Sequence, residues 1–204
     1  MSSQLLRACV LAAADAVEAA RDELCRLDAA AGDGDHGVTM ALAAKAVRQA
    51  LADAPDATDH DLLVRVAMAM GSVGGASGPI YASGLLATAA RLDALPAGPM
   101  TVAKMLALGE AAENAISALG HAKPGDKTIL DALHPAVEAL RQGQDLGVAA
   151  RAARGGAEAT AQMVATIGRA GRLGERSRGV PDPGATSLAL VLESVHAAAA
   201  RNDQ

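Results

Sequence analysis

The chain has 204 residues, with 18 basic and 23 acidic side chains, a hydrophobic fraction of 51% and a single aromatic residue, Tyr81. This length fits one domain, and the hydrophobic fraction is high enough to form a core, which excludes an intrinsically disordered chain. A net charge of −5 argues against a nucleic-acid-binding surface, and without an apolar run of about eighteen residues no segment is expected to span a membrane.

The order of apolar residues and chain breakers predicts an all-α fold. Alanine, the best helix former, is abundant, and apolar residues recur at three- and four-residue spacing from end to end. Short connections favour an up-and-down bundle, with one domain over residues 1–204. Eight helices are predicted, near residues 4–30, 37–53, 60–71, 77–93, 100–119, 126–142, 148–167 and 184–201.

The two cysteines, Cys9 and Cys25, fall in the first predicted helix. They would lie about 24 Å apart along its axis, which is too far for a disulfide. The first residues also carry charges too early for the apolar core of a signal peptide. Two unpaired thiols in such a chain favour a reducing compartment, so we expect a cytoplasmic protein.

The first segment that could carry chemistry is DAAAGDGDHG, at residues 28–37. Its glycines would let the chain turn back, so that the carboxylates of Asp28, Asp33 and Asp35 converge. Carboxylates this close repel one another unless a cation neutralises them, and oxygen ligands alone select a hard ion such as Mg²⁺. An ordinary Asp-Gly turn with solvated carboxylates and a helix N-cap is the alternative.

A second segment, GSVGGASGP at residues 71–79, is a glycine-rich turn before a predicted helix. Unpaired backbone amides and the helix dipole favour an anion at such a helix start. No Lys-Ser or Lys-Thr pair follows, so the segment is not a Walker A loop. Close helix packing through small residues is the alternative interpretation.

A third segment, KPGDKTILD at residues 123–131, indicates a helix start. Asp126 fits the N-cap of a helix that begins at Lys127. A ligand contact from the same segment stays open beside that capping role.

The stretch from Gly168 to Pro183 has little periodicity, and loops this long in compact domains tend to be functional. Asp182 as N-cap and Pro183 as first helical residue predict a strong helix start after it. Its arginines suggest a lid that faces phosphate, because the guanidinium group suits phosphate oxygens. A solvated basic loop is the competing interpretation. The arginines are Arg169, Arg172, Arg176 and Arg178.

Four segments occur in one order: LDAAAGDGDHG, GGASGPIYASG, KPGDKTILDAL and GRLGERSRGVPDPGATS. With them the chain resembles, over residues 24–190, the nucleotide-binding L subunit of dihydroxyacetone kinases. The resemblance implies a closed barrel of eight antiparallel helices, with ADP or ATP and two Mg²⁺ ions at one end. It also implies a phosphotransferase.

The resemblance further implies which residues form the site. The metal ligands would be Asp28, Asp33 and Asp35. The nucleotide contacts would be His36, Gly37, Val38, Thr39, Ala76, Ser77, Gly120, Ile129, Arg169, Asp182, Pro183 and Gly184. No pattern typical of a covalent nucleophile stands out in the sequence, so no catalytic residue is assigned and transfer would depend on positioning.

Partners are implied in the same way. A separate K subunit would bind dihydroxyacetone and receive the phosphoryl group. In one branch of the family ADP stays bound and a phosphohistidine protein, the M subunit of the sugar phosphotransferase system, rephosphorylates it. In the other branch ATP binds and exchanges as an ordinary substrate. Because this chain stands alone, we expect it to belong to the branch in which ADP stays bound. A homodimer stays open. Two alternative functions also stay open: a kinase for another short ketose or an acyl substrate, and a regulatory interaction module without catalysis.

Overall fold

The computed structural model describes residues 3–202, and these residues form ten α-helices and no strand. The helices are α1 (Ser3–Ala19), α2 (Arg21–Ala31), α3 (His36–Ala52), α4 (Asp59–Gly71), α5 (Ser77–Asp93), α6 (Val102–Gly120), α7 (Leu130–Arg141), α8 (Leu146–Ala159), α9 (Gly168–Gly171) and α10 (Pro183–Asn202). Two short 3₁₀ helices, Thr160–Gln162 and Gly174–Ser177, lie in the long connection before α10. The predicted all-α class is confirmed.

Eight of these helices pack side by side in a closed ring. Helix α1 contacts α3, and from α3 to α8 each helix contacts the next one along the chain. Helix α10 contacts both α8 and α1, which closes the ring, and α2 lies against α3 and α10. The predicted closed bundle of eight helices is therefore confirmed, with α2 and the single turn α9 as additions.

The predicted helix 4–30 is wrong in one respect, because the chain forms two helices there. The break falls at Ala20, whose φ of −87° and ψ of 6° redirect the chain. The redirected helix α2 buries Leu24 against the core beside α3. Cys9 and Cys25 consequently lie on different helices rather than on one, and both are free thiols.

Two other predicted helices have different ends. The helix predicted at 126–142 begins only at Leu130, because the residues before it form a turn around the carboxylate of Asp131. That carboxylate accepts hydrogen bonds from the amides of Gly125, at 2.5 Å, and Thr128, at 2.7 Å. Asp126 is therefore not the N-cap, and that prediction is wrong. The helix predicted at 148–167 ends at Ala159, where a 3₁₀ turn and then extended backbone follow.

The core consists of two apolar clusters. One lies among α1 to α5 and includes Leu24 and Leu62, both fully buried. The other lies among α6 to α8 and α10 and includes Leu130 and Val137. Tyr81 of α5 packs against both clusters, and so it lies at their junction. Within residues 3–202, no helix combines the length and apolarity that crossing a bilayer requires.

Candidate functional site

A cleft of about 300 Å³ opens where four connections meet: α2–α3, α4–α5, α6–α7 and the segment of residues 163–182, here named the late loop. All the site residues predicted from the sequence line this cleft except Gly37 and Val38. The lining residues among them are Asp28, Asp33, Asp35, His36, Thr39, Ala76, Ser77, Gly120, Ile129, Arg169, Asp182, Pro183 and Gly184.

Three carboxylates form what we call the acidic corner of the cleft. One oxygen each of Asp28, Asp33 and Asp35 lies within 4.8 Å of the other two. Asp28 Oδ2 accepts hydrogen bonds from the amides of Asp35, at 2.9 Å, and His36, at 3.2 Å, which tie it to the start of α3. A β-carbon at Gly32 would stand 2.3 Å from Asp28 Oδ1, so only glycine leaves room for that oxygen.

The charges of the acidic corner act on one another. Partial desolvation, together with the negative charges of Asp33 and Asp28, raises the pKa of Asp35. Partial desolvation is the largest single influence on the pKa of Asp33 and acts upward, but the hydrogen bond and charge of Arg169, together with further hydrogen bonds, outweigh it and the pKa falls below its usual value. A divalent cation would relieve this repulsion, and three carboxylates are the ligands that a hard ion such as Mg²⁺ prefers. The donor set therefore fits Mg²⁺.

Gly37 and Val38 lie outside the cleft. A β-carbon at position 37 would stand 1.9 Å from the carbonyl oxygen of Arg21 and 2.8 Å from Sγ of Cys25, so glycine at this position lets α2 and α3 approach closely. Val38 is 38% exposed and lines a separate groove between α1, α2 and α3. The structure thus gives Gly37 a packing role beneath the acidic corner.

His36 is buried, and it joins three helices. Its Nδ1 lies 3.1 Å from the hydroxyl of Ser77 on α5, and its Nε2 lies 3.0 Å from the hydroxyl of Ser187 on α10. The hydroxyl of Tyr81 lies 2.9 Å from that of Ser187. Burial lowers the pKa of His36, although the Asp28 charge opposes the shift, so the ring is neutral at pH 7. With both nitrogens engaged, the imidazole fixes the start of α3 against α5.

The glycine-rich turn before α5 presents a helix N-terminus to the cleft. Gly75 has a φ of +83°, which favours glycine, and Ala76 and Ser77 follow it along the cleft wall. No side chain caps the first turn of α5, so its unpaired amides are available to an anion. A β-carbon at Gly78 would stand 2.6 Å from the carbonyl oxygen of Met70, so glycine there also lets α5 start close to the end of α4.

The opposite wall combines apolar residues with one unusual carboxyl group. Ile129 is buried beside Gly184, and Gly120 lies on the same lining. Asp182 Oδ1 accepts a hydrogen bond of 2.7 Å from the amide of Ala185, which confirms Asp182 as the N-cap before Pro183. Burial, with a smaller contribution from a neighbouring carboxylate, raises the pKa of Asp182 to about 6.

One arginine of the late loop reaches the acidic corner. The guanidinium of Arg169 forms an ion pair with Asp33. Arg178 instead pairs with Glu175 at 3.1 Å, and Arg172 and Arg176 are exposed and outside the cleft lining. The phosphate-facing role suggested by the four arginines is thus available to Arg169, and the other three fit the solvated alternative.

Lys127 also lines the cleft, although the sequence indicated only the start of a helix there. It is 3% exposed, and its Nζ donates to the carbonyl oxygens of Val180, at 2.8 Å, and Met163, at 3.4 Å, and to that of Ser177. Its φ of +62° is an uncommon conformation for a residue other than glycine. The groups that accept from Lys127 are backbone carbonyls far away along the chain, so no sequence pattern could have identified its role in the cleft.

Comparison with known proteins gives the chain its family. The DAK2 domain family, Dak2, matches residues 30–197. D-erythrulose kinase of Mycolicibacterium smegmatis is 42% identical over 195 residues, which cover 90% of this chain and 33% of that protein. The ADP-binding subunit DhaL of PEP-dependent dihydroxyacetone kinase 1 from Listeria innocua is 36% identical over 173 residues, which cover 84% of each chain.

A solved structure agrees with these relatives. The crystal structure of the dihydroxyacetone kinase from C. freundii in complex with AMP-PNP and Mg²⁺ matches with a TM-score of 0.74 and 29% identity, over 95% of this chain and 34% of that one. The chain thus spans about a third of the erythrulose kinase and most of the DhaL subunit. These relatives are named as kinases or as a kinase subunit, which supports the predicted phosphotransferase class without testing it on this chain. The chain belongs to the DAK2-domain family, and its relatives include DhaL-type ADP-binding subunits.

Proposed function

We propose that the chain is the nucleotide-binding subunit of a dihydroxyacetone kinase. It holds ADP or ATP with two Mg²⁺ ions and passes the phosphoryl group to dihydroxyacetone bound on a separate K subunit. The observation that carries the proposal is the acidic corner, which shares one cleft with the uncapped start of α5 and an apolar wall. The printed name of the Listeria innocua relative, an ADP-binding subunit, supports it.

The cleft offers separate surfaces to the parts of a nucleotide. Asp28, Asp33 and Asp35 would hold the ions, which would neutralise the charge of the phosphates during transfer. The backbone amides at Ala76 and Ser77 would donate to phosphate oxygens. The apolar wall would pack against the base. Its residues in the cleft are Ile116, Gly120, Ala122 and Ile129.

The chain's own contribution to transfer is positioning. Both ring nitrogens of His36 are engaged by serine hydroxyls, so this residue orients the start of α3 rather than attacking phosphorus. Arg169 adds positive charge at the corner where the phosphates would lie. Preorganised charges of this kind stabilise a phosphoryl group in transit without a covalent intermediate on the chain. The acceptor hydroxyl then comes from the partner.

The test is calorimetric titration of MgADP into the wild-type chain and its Asp35→Asn and Asp33→Asn variants, each first freed of any retained nucleotide. Each variant removes a charge from the metal ligands, so we expect at least about a tenfold loss of affinity with an unchanged helical circular dichroism spectrum. Asp22→Asn is the matched control, since Asp22 is an exposed carboxylate of α2 outside the cleft. Wild-type affinity in Asp35→Asn would refute the metal assignment. Failure of the wild-type chain to bind MgADP would favour a regulatory interaction module.

A four-carbon ketose is a second candidate for the molecule that accepts the phosphoryl group. The D-erythrulose kinase is 42% identical to this chain, against 36% for the Listeria innocua DhaL subunit, so a K subunit that binds erythrulose is the second candidate partner. Combining the chain with a K subunit and comparing transfer to dihydroxyacetone and to erythrulose separates the two acceptors. A clear preference for erythrulose would replace the first proposal.

The phosphoryl donor is also part of the proposal. We expect ADP to stay bound and to be recharged by a phosphohistidine protein, as the PEP-dependent name of the Listeria innocua relative suggests. Native mass spectrometry of the purified chain should then show retained ADP. A chain that is isolated empty and exchanges ATP freely would instead assign ATP as the donor.

A further inference from the structure

The late loop is closed at its base by hydrogen bonds from its last residues to the 3₁₀ helix Thr160–Gln162, which directly precedes it. The amide of Gly179 donates to the carbonyl oxygen of Ala161 at 2.8 Å, and the amide of Asp182 donates to Thr160 Oγ1 at 2.7 Å. Between them, the fully buried hydroxyl of Ser177 accepts from the amide of Ala165 at 2.9 Å. The segment therefore leaves the ring and returns to it at nearly the same place.

Lys127 lies beneath this base. Its three carbonyl acceptors belong to Met163 at the start of the loop and to Ser177 and Val180 near its end. An ammonium group has three protons, so the three carbonyls can use all of them. Although Lys127 lines the cleft, its charge is engaged by the loop, and it holds the two ends together.

The turn that contains Lys127 binds the loop at a second point. Thr166 Oγ1 donates to Asp126 Oδ1 at 2.6 Å, and the amide of Thr166 donates to the carbonyl oxygen of Asp126 at 3.3 Å. Three residues further along the loop, Arg169 forms its ion pair with Asp33 in the acidic corner. Lys127 and Asp126 therefore hold the loop at Met163 and Thr166, shortly before Arg169 along the chain.

We propose that Lys127 is a positioning residue that holds the late loop closed and so places Arg169 at the acidic corner. The inference rests on the proposed function, in which Arg169 contacts the nucleotide. Burial lowers the pKa of Lys127, while the Asp182 charge opposes this. The ammonium acts through the loop backbone and does not itself touch the phosphates.

The experiment compares Lys127→Met, Arg169→Met and the double variant by MgADP titration. Each single variant should weaken binding about tenfold, because a hydrogen bond to a charged group contributes on that scale. The double variant should lose no more than Arg169→Met alone, since both act through one guanidinium. Lys123→Met, an exposed lysine of the same turn, is the control and should bind like wild type.

Two readouts do not depend on nucleotide. Trypsin should cut the late loop of ligand-free Lys127→Met about tenfold faster than that of wild type, because the loop base opens more often. Affinity of the acidic corner for Mn²⁺ alone should not fall, since releasing Arg169 from Asp33 removes a competitor for that carboxylate. A general folding defect would weaken both ligands. Lys127→Gln, which keeps two donors, should fall between wild type and Lys127→Met.

The outcomes separate the two proposals. Wild-type trypsin resistance in Lys127→Met, or additive losses in the double variant, overturns the role of Lys127 and leaves the proposed function intact. Wild-type nucleotide affinity in Arg169→Met also overturns it, because nothing would then be positioned. Absence of MgADP binding by the wild-type chain overturns the proposed function itself. If Lys127→Met does not fold, Lys127→Gln gives the same comparisons.

Discussion

Replacing Asp182 by Asn should stabilise the protein at neutral pH. The carboxyl group is desolvated at the cleft wall, and its pKa is raised from an ordinary 3.8 to about 6. At about 1.4 kcal/mol for each tenfold change in proton affinity, this corresponds to about 3 kcal/mol. Because the side chain keeps some exposure, we take about 2 kcal/mol as the penalty carried by the ionised group at pH 7.

The pH dependence follows from the sign of this shift. Between pH 3.8 and about 6 the folded protein keeps a proton on Asp182 that the unfolded chain releases, so stability falls as pH rises through this interval. Asparagine has no such proton, and its side-chain oxygen can still accept from the amide of Ala185. Asp182→Asn should therefore raise the melting temperature by about 4–8 °C at pH 7 and by little near pH 4.

Thermal unfolding of the ligand-free protein, followed by circular dichroism at both pH values, measures this difference. Asp145→Asn is the matched control, since Asp145 caps α8 through a similar bond of 2.8 Å to the amide of Val148 but is exposed. Its melting temperature at pH 7 should stay close to that of wild type. The reasoning is refuted if Asp182→Asn is no more stable than wild type at pH 7, or if its melting temperature rises equally at both pH values.

Two more predictions follow from close packing. Gly37→Ala should lower the free energy of unfolding by about 3 kcal/mol or more, because its β-carbon would meet a carbonyl oxygen of α2 at 1.9 Å. Denaturant titration measures this, and a loss below about 1 kcal/mol would contradict it. In the native protein a thiol reagent should modify Cys25 well before Cys9, because Cys9 is only 3% exposed and burial raises the pKa of its thiol. Equal rates would contradict that order.

The sequence was sufficient for the helical class and for the acidic corner because both depend on local chemistry. Spacing of apolar residues shows where helices lie, and closely spaced Asp and Gly residues bring Asp33 and Asp35 together within one turn. The N-cap at Asp182 could be predicted for the same reason. The break at Ala20 could not, since alanine favours continued helix and the bend depends on how α2 packs against α3.

Long-range contacts account for the other differences. Asp126 has the right residue type for a cap, but Asp131 closes the turn and Thr166 engages Asp126 from the late loop. Lys127 is anchored by backbone carbonyls, which every residue has, so no pattern in the sequence could identify its partners. The bonds of His36 to α5 and α10 likewise depend on the closed ring, which brings distant helices together.

The position of Tyr81 has a practical consequence. It is the only tyrosine of a chain without phenylalanine or tryptophan, and it lines the cleft at the junction of the two cores. Intrinsic ultraviolet emission of the unlabelled protein therefore arises from one ring in the cleft where we propose that the nucleotide binds. Quenching or enhancement upon mixing with a ligand reports directly on events in that cavity, so stopped-flow fluorimetry can follow them without an engineered dye.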